Sequence, residues 1–307
     1  MTRHFPRLPR PTGFACWLAL LTSALPGAVD AAPITFNTAL PVAKGEFLFR
    51  EQLIVSQSGK DPGNTNRDRS ERMAVTALGY GLTRRWALFG VLPYRDIDLD
   101  LDSGGQRLHR RNSQLGDLTV FARYSAYQKN QRGRTFRVAP FFGAKLPTGK
   151  DHVSDSLGVL PPPAQTSTGA ADVFAGLVLT YQTLQYQFDG QVSYRTSNEA
   201  NGFEAGDIFR VDGSLQYKLW NSKPAGGLPH FLYGVLEVNV INQQKNRING
   251  VSDPNTNGTR VFISPGIQYV TKRWILEGSV QLPLSQNLNG TALETDSIVR
   301  VGVRFNF

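Results

Sequence analysis

The most regular feature of the sequence is an alternation of apolar and polar residues. In the last eleven residues, SIVRVGVRFNF, the odd-numbered positions from 299 to 307 are valine or phenylalanine, whereas Arg300, Gly302 and Arg304 lie between them. Successive side chains of a β-strand point to opposite faces of the sheet. The segment therefore predicts a terminal strand with one apolar face and one polar face.

Further segments of about ten residues show the same alternation, which is the length that a tilted strand needs to cross the outer membrane. They begin near Glu46, Arg72, Trp86, Gln114, Phe136, Ala171, Leu184, Phe209, Phe231, Arg260 and Trp274. The alternation is weak near Arg72 and Trp86, and Glu51 falls on the apolar side of its strand. Together with the last segment, they predict an all-β chain of about twelve strands.

The connections between these segments are alternately short and long. The short ones lie at 83–85, 128–134, 182–185, 221–227 and 271–273, and the long polar ones at 57–70, 98–113, 148–170, 198–206, 243–257 and 285–295. Short periplasmic turns and longer extracellular loops are typical of outer-membrane barrels. We therefore expect one closed antiparallel transmembrane β-barrel, with both termini on the periplasmic side. A soluble β-sandwich is the competing fold, and it would bury the apolar face of the last strand.

The first thirty-one residues have the layout of a secretory signal peptide. Arg3, Arg7 and Arg10 form a basic start, an uncharged apolar run follows at 14–25, and small residues then allow cleavage after Ala31. The apolar run is too short to cross a bilayer as a helix. We expect residues 1–31 to be removed on export and residues 32–307 to form the barrel in the outer membrane of a Gram-negative bacterium.

Composition narrows the chemistry of the exported chain. Cys16 is the only cysteine and lies in the signal, so the mature chain has no disulfide, thiol nucleophile or thiolate metal ligand. The formal charge of +9 falls to +7 without residues 1–31, which carry three arginines and one aspartate. Because basic and acidic residues are interspersed, the charge predicts a solvated surface or lumen, and no nucleic-acid partner.

Aromatic residues follow the short turns and end the chain. Trp86 and Trp274 stand in two similar sequences, LTRRWAL and VTKRWIL, directly after a tight basic turn. Indole rings favour the membrane–water interface, so both are expected there, with Phe47, Phe136, Tyr186, Phe305 and Phe307 at the same level. Buried core tryptophans are the alternative. Gly302, Phe305 and Phe307 also resemble the C-terminal signal that the outer-membrane assembly machinery reads.

The first and last strands must pair to remove the sheet edges of a barrel. Antiparallel pairing predicts that residue numbers across this seam sum to about 350. Glu46 and Arg50 then share the lumen with Arg300 and Arg304 near the periplasmic opening, and Glu277 supplies a second acid. We expect these five side chains to form one cluster.

The polar face of the strands predicts a charged lumen. The candidate pathway residues are Glu46, Arg50, Arg123, Arg137, Asp189, Arg210, Asp212, Glu277, Arg300 and Arg304, and Phe121, Phe141, Phe174 and Phe262 lie among them. Ionisable groups inside a barrel must be wet or paired. The lumen is therefore either a path for solutes or a sealed set of ion pairs that holds the barrel closed.

Three motifs that suggest other chemistry are incomplete. GAKLPTGKD (143–151) has the wrong glycine spacing for a P-loop and has Asp151 where Ser or Thr is required, and DPNTNG (253–258) opens like an EF-hand but has Ser264 where the bidentate Glu belongs. In KDHVSD (150–155), His152 is too close in sequence to Asp151 and Ser154 for a catalytic triad. We therefore expect neither an enzyme nor a cofactor.

Four stretches carry a family resemblance: LPVAKGEFLFREQ (40–52), LGYGLTRRWALFGVLPYR (78–95), LGDLTVFARY (115–124) and GAKLPTGKD (143–151). They resemble the bacterial family named after the meta-cleavage pathway of phenol degradation. The resemblance covers essentially the mature chain, most clearly residues 36–151, and implies an outer-membrane transporter of small, aromatic or hydrophobic compounds. Long-chain fatty-acid channels differ, since they carry an N-terminal plug. Here only about a dozen residues precede the first strand, so we expect no room for a plug.

We interpret the chain as an outer-membrane channel or uptake component for small molecules. Its partners would be the lipid bilayer with its lipopolysaccharide, the assembly machinery and a small-molecule solute. A structural or surface-interaction barrel with a closed lumen is the alternative, and an outer-membrane hydrolase is a third reading.

Overall fold

Twelve antiparallel strands form a closed ring in the computed structural model, which describes residues 31–222 and 229–307. The strands are β1 (Phe47–Ser58), β2 (Asp68–Gly81), β3 (Trp86–Ser103), β4 (Gln106–Leu115, Leu118–Tyr124 and Tyr127–Gln131), β5 (Arg134–Leu146), β6 (Asp172–Thr183), β7 (Tyr186–Thr196), β8 (Ile208–Ser222), β9 (His230–Gln243), β10 (Gly258–Val270), β11 (Trp274–Leu288) and β12 (Ser297–Asn306). Each strand pairs with the next, and β12 pairs with β1. The predicted closed barrel is therefore confirmed.

The seam between β1 and β12 has the predicted register. Arg50 pairs with Arg304, and all residue numbers paired across the seam sum to 354, close to the expected 350. Beyond the paired strands, the backbones of Phe47 and Phe307 exchange two hydrogen bonds of 2.6 and 2.9 Å, and their rings stack at 5.7 Å. The last residue is thus tied to the first strand.

The apolar face of the strands points away from the lumen. On β12, Val299 and Val301 are 39% and 58% exposed, and similar exposed apolar residues surround the ring. No second sheet covers this face within the described ranges, so the sandwich alternative is wrong. Aromatic residues cluster at the end of the barrel that has the short turns. There the ring centroids of Trp86 and Tyr124 are 4.8 Å apart, and those of Trp274 and Tyr269 are 5.6 Å apart. In outer-membrane barrels this end faces the periplasm.

The segment 98–113, predicted as a loop, is instead a β-hairpin that extends β3 and β4 beyond the expected limits. Its turn is Gly104–Gly105, with positive φ angles of 59° and 76° that suit the tight turns of hairpins. The prediction failed because aspartate is rare in strands, although the DIDLDLD sequence alternates. Likewise, most of 128–134 is strand, and only Arg132 and Gly133 form the turn. The predicted turn 221–227 lies mostly outside the described residues.

The extracellular loops carry little regular structure. A small four-stranded sheet joins Glu199–Ala200, Phe203–Glu204, Arg247–Ile248 and Val251–Ser252. The loop 147–171 contains a two-stranded pair, Ser154–Asp155 with Gly158–Val159, and the 3₁₀ helix Pro162–Ala164. Within residues 31–222 and 229–307, no helix is both long and apolar enough to cross a membrane.

Residues 31–43 lie inside the barrel, and we refer to them as the plug. Their buried members are Ala31, Ala32, Pro33, Ile34, Phe36, Ala39, Leu40 and Val42. The expectation that so few residues leave no room for a plug is therefore wrong. An extended peptide spans about 3.3 Å per residue, so a dozen residues suffice to enter a lumen of this size and return.

Candidate functional site: the occluded lumen

The plug enters the lumen from the periplasmic end and returns to it. At its start, Ala31 packs against Val270 and Ile275, beside the short turn between β10 and β11. At its other end, the carbonyl oxygen of Ala43 lies so close to Gly81 of β2 that a Cβ atom there would clash with it. Because both ends are at one opening, the plug folds back on itself and does not thread through the barrel.

Two buried carboxylates of the wall bind the plug. Glu237 on β9 accepts the backbone N–H of Ile34 at 2.7 Å, that of Thr35 at 3.0 Å and the Thr35 hydroxyl at 2.6 Å. Asp189 on β7 accepts the Thr38 hydroxyl at 2.9 Å. Both acidic residues are fully shielded from solvent. A carboxylate in such a place needs hydrogen-bond donors, and the plug supplies them.

Arginines of the wall bind the carbonyl groups of the plug. Arg123 on β4 donates to the carbonyl oxygens of Thr38 and Leu40, each at 2.5 Å. From β1, Arg50 donates to the carbonyl oxygen of Ile34 at 2.9 Å. The plug backbone, which makes no sheet pairing, therefore finds both donors and acceptors on the wall.

Two arginines that contact the plug also form ion pairs with carboxylates of the wall. The Arg50 guanidinium lies 2.5 Å from a carboxylate oxygen of Glu277 on β11. On β8, Arg210 lies 2.7 Å from Asp212 and also donates to the carbonyl oxygen of Thr35 at 3.1 Å. The side chains of Glu277 and Asp212 are fully buried, and pairing with an arginine offsets the cost of burying their charges.

Beside the plug lies a group of stacked phenylalanines. The rings of Phe89 and Phe121 are parallel, with centroids 4.7 Å apart, and Phe121 makes edge contacts with Phe141 and Phe174. The Arg123 guanidinium lies 4.8 Å from the centre of the Phe89 ring. This part of the lumen thus offers aromatic faces next to a cation.

A cavity of about 240 Å³ separates the plug from the wall formed by β12 and β1 to β4. Phe89 and Phe121 line one part of it, and Arg50, Arg123 and Arg304 line another. Such a lining can hold a small ring that carries a polar or anionic group.

The extracellular mouth is narrowed by the loop 147–171, which folds inward. Arg69 on β2 donates to the carbonyl oxygen of Pro163 at 2.9 Å, and Arg95 on β3 donates to that of Thr166 at 3.0 Å. Both arginines also pair with Glu71, at 2.7 and 2.6 Å. The inward loop is therefore anchored to charged residues of the wall.

A second extracellular loop, residues 59–67, is held together by the carboxyl group of Asp61. Asp61 accepts the backbone N–H groups of Gly63 and Arg67 at 2.8 and 2.9 Å, and it pairs with the Arg67 side chain. Arg67 also bonds the carbonyl oxygen of Thr291 in the loop between β11 and β12. The Arg67 guanidinium holds the pKa of the Asp61 carboxyl well below its usual range, so Asp61 is charged at neutral and mildly acidic pH.

Comparison with known proteins agrees with this architecture. The sequence profile of the family described as "Putative MetA-pathway of phenol degradation" matches residues 64–292, which is 229 of the 307 residues. The chain belongs to this family. No curated protein matches the sequence.

The chain can also be compared with solved structures. An outer membrane channel from Pseudomonas putida F1 superimposes with a TM-score of 0.61 at 14% sequence identity, covering 91% of this chain and all of that one. The NanC porin gives a TM-score of 0.46 at 14% identity, covering 83% of this chain and 98% of the porin. At this identity, the first likeness shows that the fold is that of an outer-membrane barrel.

In this family member, most of the predicted lumen residues lie around the plug. Six contact the plug or an ion-pair partner beside it: Arg50, Arg123, Asp189, Arg210, Asp212 and Glu277. Arg137 donates to Gln182 at 3.5 Å, Arg300 donates to Gln281 at 2.6 Å, and Arg304 borders the cavity. Glu46 lies in the turn before β1 and makes no ion pair with any residue in 31–222 and 229–307.

The residues proposed as an assembly signal lie at the seam. Phe305 packs against Phe49 at 6.4 Å, and Phe307 stacks on Phe47. Gly302 faces the lumen between Gln52 and Glu277, where a Cβ atom would approach both side chains to about 3 Å.

The sequence reasoning missed the plug and several of its contacts, among them the Thr180 hydroxyl and the Gln268 amide. Thr180 accepts the backbone N–H of Ala39 at 2.9 Å, and Gln268 donates to the carbonyl oxygen of Ala32 at 2.6 Å. One signal was available, because Ile34, Phe36, Leu40 and Val42 are too apolar for a periplasmic tail.

The incomplete motifs lie in extracellular loops and the adjoining strand ends. Asp151 accepts a hydrogen bond from Asn201, and His152 adopts a positive φ of 57° without bonding to Asp151 or Ser154. The carboxylate of Asp253 accepts the backbone N–H of Asn255 within its own turn. Among the described residues, no group of three His, Cys, Asp or Glu is placed to hold a metal ion.

Proposed function

We propose that this protein is an outer-membrane channel for small molecules and that the plug closes its lumen. The observation that carries the proposal is the nature of the closure. A separate peptide segment fills the lumen, held by side chains of the wall, and it is not part of the sheet. A segment of this kind can leave, whereas wall residues that filled the lumen themselves could not.

The position of the plug supports reversible opening. Both of its ends lie at the periplasmic opening, so it can withdraw without breaking a strand pairing. Each hydrogen bond to the wall is replaced by one to water on withdrawal, so the net loss is about 1 kcal/mol per bond. This net value already includes the hydration of polar wall residues, such as Glu237 and Asp189, that withdrawal exposes.

Aromatic or hydrophobic compounds are the proposed solutes. The rings of Phe89 and Phe121 line the cavity beside the plug, and Arg123 lies next to them. A planar ring can pass along stacked phenylalanines by exchanging one ring contact for another. The family name agrees with this class of compound, which remains a proposal for this chain.

A structural barrel with a permanently closed lumen is the alternative function. The ion pairs Arg50–Glu277 and Arg210–Asp212 favour it, since paired charges stabilise a fixed arrangement. The two functions differ in one respect, which is whether the plug moves.

A disulfide across the plug tests this difference. The hydroxyl oxygens of Thr38 and Thr180 are 3.1 Å apart, so the pair Thr38→Cys and Thr180→Cys should be able to form a disulfide. Conductance is measured in planar bilayers under oxidising and reducing conditions, with Thr38→Cys alone as the control. We expect the oxidised double variant to stay closed and the reduced one to open. Equal conductance in both states, together with no gain on deleting residues 32–42, would favour the structural barrel.

The solute class is tested separately by liposome swelling. Benzoate, benzyl alcohol and an alkyl carboxylate of similar size are compared in the protein that lacks residues 32–42. Phe121→Ala should slow the aromatic solutes more than the alkyl one, because it removes a ring from the path. Equal slowing of all three would reject the aromatic preference and leave the channel proposal untouched.

A further inference from the structure

A polar cavity of about 510 Å³ lies at the extracellular end of β8 to β11. We call it the outer niche. Its lining includes Asp207, Asn242, Lys245, Thr259 and Asn287, and the small loop sheet contributes Glu204, Arg247 and Ser252. It is independent of the lumen site described above.

The niche opens on the outer surface of the barrel. On β9, the odd-numbered residues from Val235 to Gln243 point into the lumen, so Asn242 points outward. Asn242 pairs in register with Thr259, and Thr259 pairs with Asn287. These three polar side chains therefore form a row across three neighbouring strands, on the face that lower down carries Leu236, Ile267 and Leu276.

Tyr194 lies at the boundary between the apolar, lipid-facing surface of the barrel and the outer niche. Tyr194 on β7 is 45% exposed on the outer face, and its hydroxyl donates to Asp207 at 2.5 Å. Tyrosines favour the membrane–water interface, with the ring in the apolar layer and the hydroxyl in the polar one. The niche thus lies directly above the apolar layer of the outer leaflet, at the level of the saccharide of lipopolysaccharide.

The lining suits hydroxyl-rich ligands. The described residues leave several donors and acceptors uncommitted, since Lys245 makes no ion pair and the Asn287 amide makes no hydrogen bond within residues 31–222 and 229–307. The side chains of Glu204 and Arg247 form an ion pair at 3.4 Å, and their charges compensate each other. Charge alone therefore does not determine which ligand the niche binds. Amide, hydroxyl and ammonium groups at a concave surface match the alternating donors and acceptors of a sugar ring.

We propose that the outer niche binds a saccharide, and that the source of this saccharide is the core of lipopolysaccharide in the surrounding leaflet. The amide row contacts sugar hydroxyls, and Lys245 contacts an acidic sugar or phosphate group of the core. A free oligosaccharide has the same chemistry, and the experiment separates the two sources.

The test compares two variants of the intact barrel in detergent. Asn242→Ala with Asn287→Ala removes the amide row. Gln57→Ala is the matched control, because Gln57 also lies at the extracellular end of a strand, on β1, and donates to a neighbouring hydroxyl, that of Ser70, at 3.0 Å, as Asn242 does to Thr259 at 2.7 Å. Heat-modifiable migration confirms that each variant is folded. Lys245→Gln in the loop provides a second variant that leaves the strands unchanged.

Three probes are titrated: lipopolysaccharide with a complete core, lipid A, and the core oligosaccharide released from lipid A. We expect the double variant to bind the complete lipopolysaccharide about tenfold more weakly than the control, since two hydrogen bonds are lost, and to bind lipid A equally well. Weakening of the free oligosaccharide to the same extent would also support the niche and identify a soluble saccharide as sufficient. Equal affinities of both variants and of Lys245→Gln for the complete lipopolysaccharide would overturn the proposal.

Discussion

Arg50 and Glu277 belong to strands that are not neighbours, yet their side chains meet 2.5 Å apart inside the barrel. The strand between them is β12, and the two side chains meet over Gly302 of this strand. Gly302 pairs with Gln52 on one side and with Glu277 on the other. A Cβ atom at this position would lie 2.9 Å from Gln52 and 3.0 Å from Glu277. The ion pair that holds β1 to β11 therefore requires a residue without a side chain.

The first prediction concerns this glycine. Gly302→Ala should destabilise the refolded barrel by roughly 1–3 kcal/mol, because the added methyl group overpacks the ion pair. Denaturation midpoints in detergent measure the effect. Gly278→Ala on the outer face is the control, since its Cβ would meet only a backbone oxygen at 3.7 Å. Equal midpoints for the two variants would contradict the packing argument.

The second prediction concerns the charge of the same cluster. Glu277→Gln leaves Arg50 without its acid and should cost about 3 kcal/mol while the barrel still folds. In protein without residues 32–42, the variant should shift the reversal potential towards anion selectivity. Glu51→Gln is the control, because Glu51 lies on the outer face, where it accepts a hydrogen bond from Thr76 at 2.7 Å. An unaltered selectivity for Glu277→Gln would show that the cluster lies off the conduction path.

The third prediction concerns the end of the chain. Replacing Phe305 and Phe307 by Ser removes contacts with Phe49 and Phe47 at the seam. Each contact is worth less than the roughly 1.5–3 kcal/mol of a fully buried side chain, because both rings are only partly buried. We expect less folded protein in the outer membrane, measured by heat-modifiable migration of membrane fractions. Refolding of the same variant in detergent separates loss of stability from loss of the assembly signal. A membrane yield equal to that of the parent protein would refute both roles.

The fourth prediction concerns pH at the loop 59–67. Because Arg67 lowers the pKa of Asp61, the loop gains stability that is fully present above the pKa of an unfolded aspartate, about 3.9, and is lost only below it. Hydrogen exchange of the Gly63 and Arg67 amides, corrected for intrinsic rates, should thus show equal protection at pH 7 and pH 5. Asp61→Asn should lower this protection about tenfold, and Asp68→Asn should not. Protection that declines between pH 7 and pH 5 would be inconsistent with this pairing.

The fifth prediction concerns export. Cleavage after Ala31 would leave the new amino group of Ala32 near the Gln268 side-chain oxygen, which lies 3.4 Å from the Ala32 nitrogen. A charged amino group in the lumen needs such a polar partner. The intact mass of protein extracted from outer membranes should correspond to a chain that begins at Ala32. A mass that includes residues before Ala31 would move the cleavage site.

The barrel could be read from the sequence because lipid imposes a local rule. Most lipid-facing positions are apolar, so most strands show their outer face independently of the others. The extended hairpin escaped the same rule, since it lies outside the apolar layer and carries aspartates on its outer face. Those aspartates are paired across the hairpin, where Asp100 lies 2.5 Å from His109 and Asp102 lies 3.1 Å from Arg107. Cross-strand pairing stabilised a strand that its composition disfavoured.

The site was less accessible to sequence reasoning than the strands. The lumen residues could be named from parity alone, but the plug could not be placed. Its contacts join Ile34 to Glu237 and Thr38 to Asp189, which are more than 150 residues apart in sequence. No periodicity within residues 31–43 reports on such distant partners.

Because the plug is continuous with β1, it behaves as a ligand tethered to its own receptor. Its effective concentration at the lumen is set by the short tether and does not depend on how much protein is present; for short linkers this concentration is in the millimolar range. Any solute that uses the same contacts, such as those of Arg123, competes with that local concentration. A compound that binds these contacts as tightly as the plug does would therefore have to accumulate to about millimolar levels at the opening before it displaces the segment by competition alone.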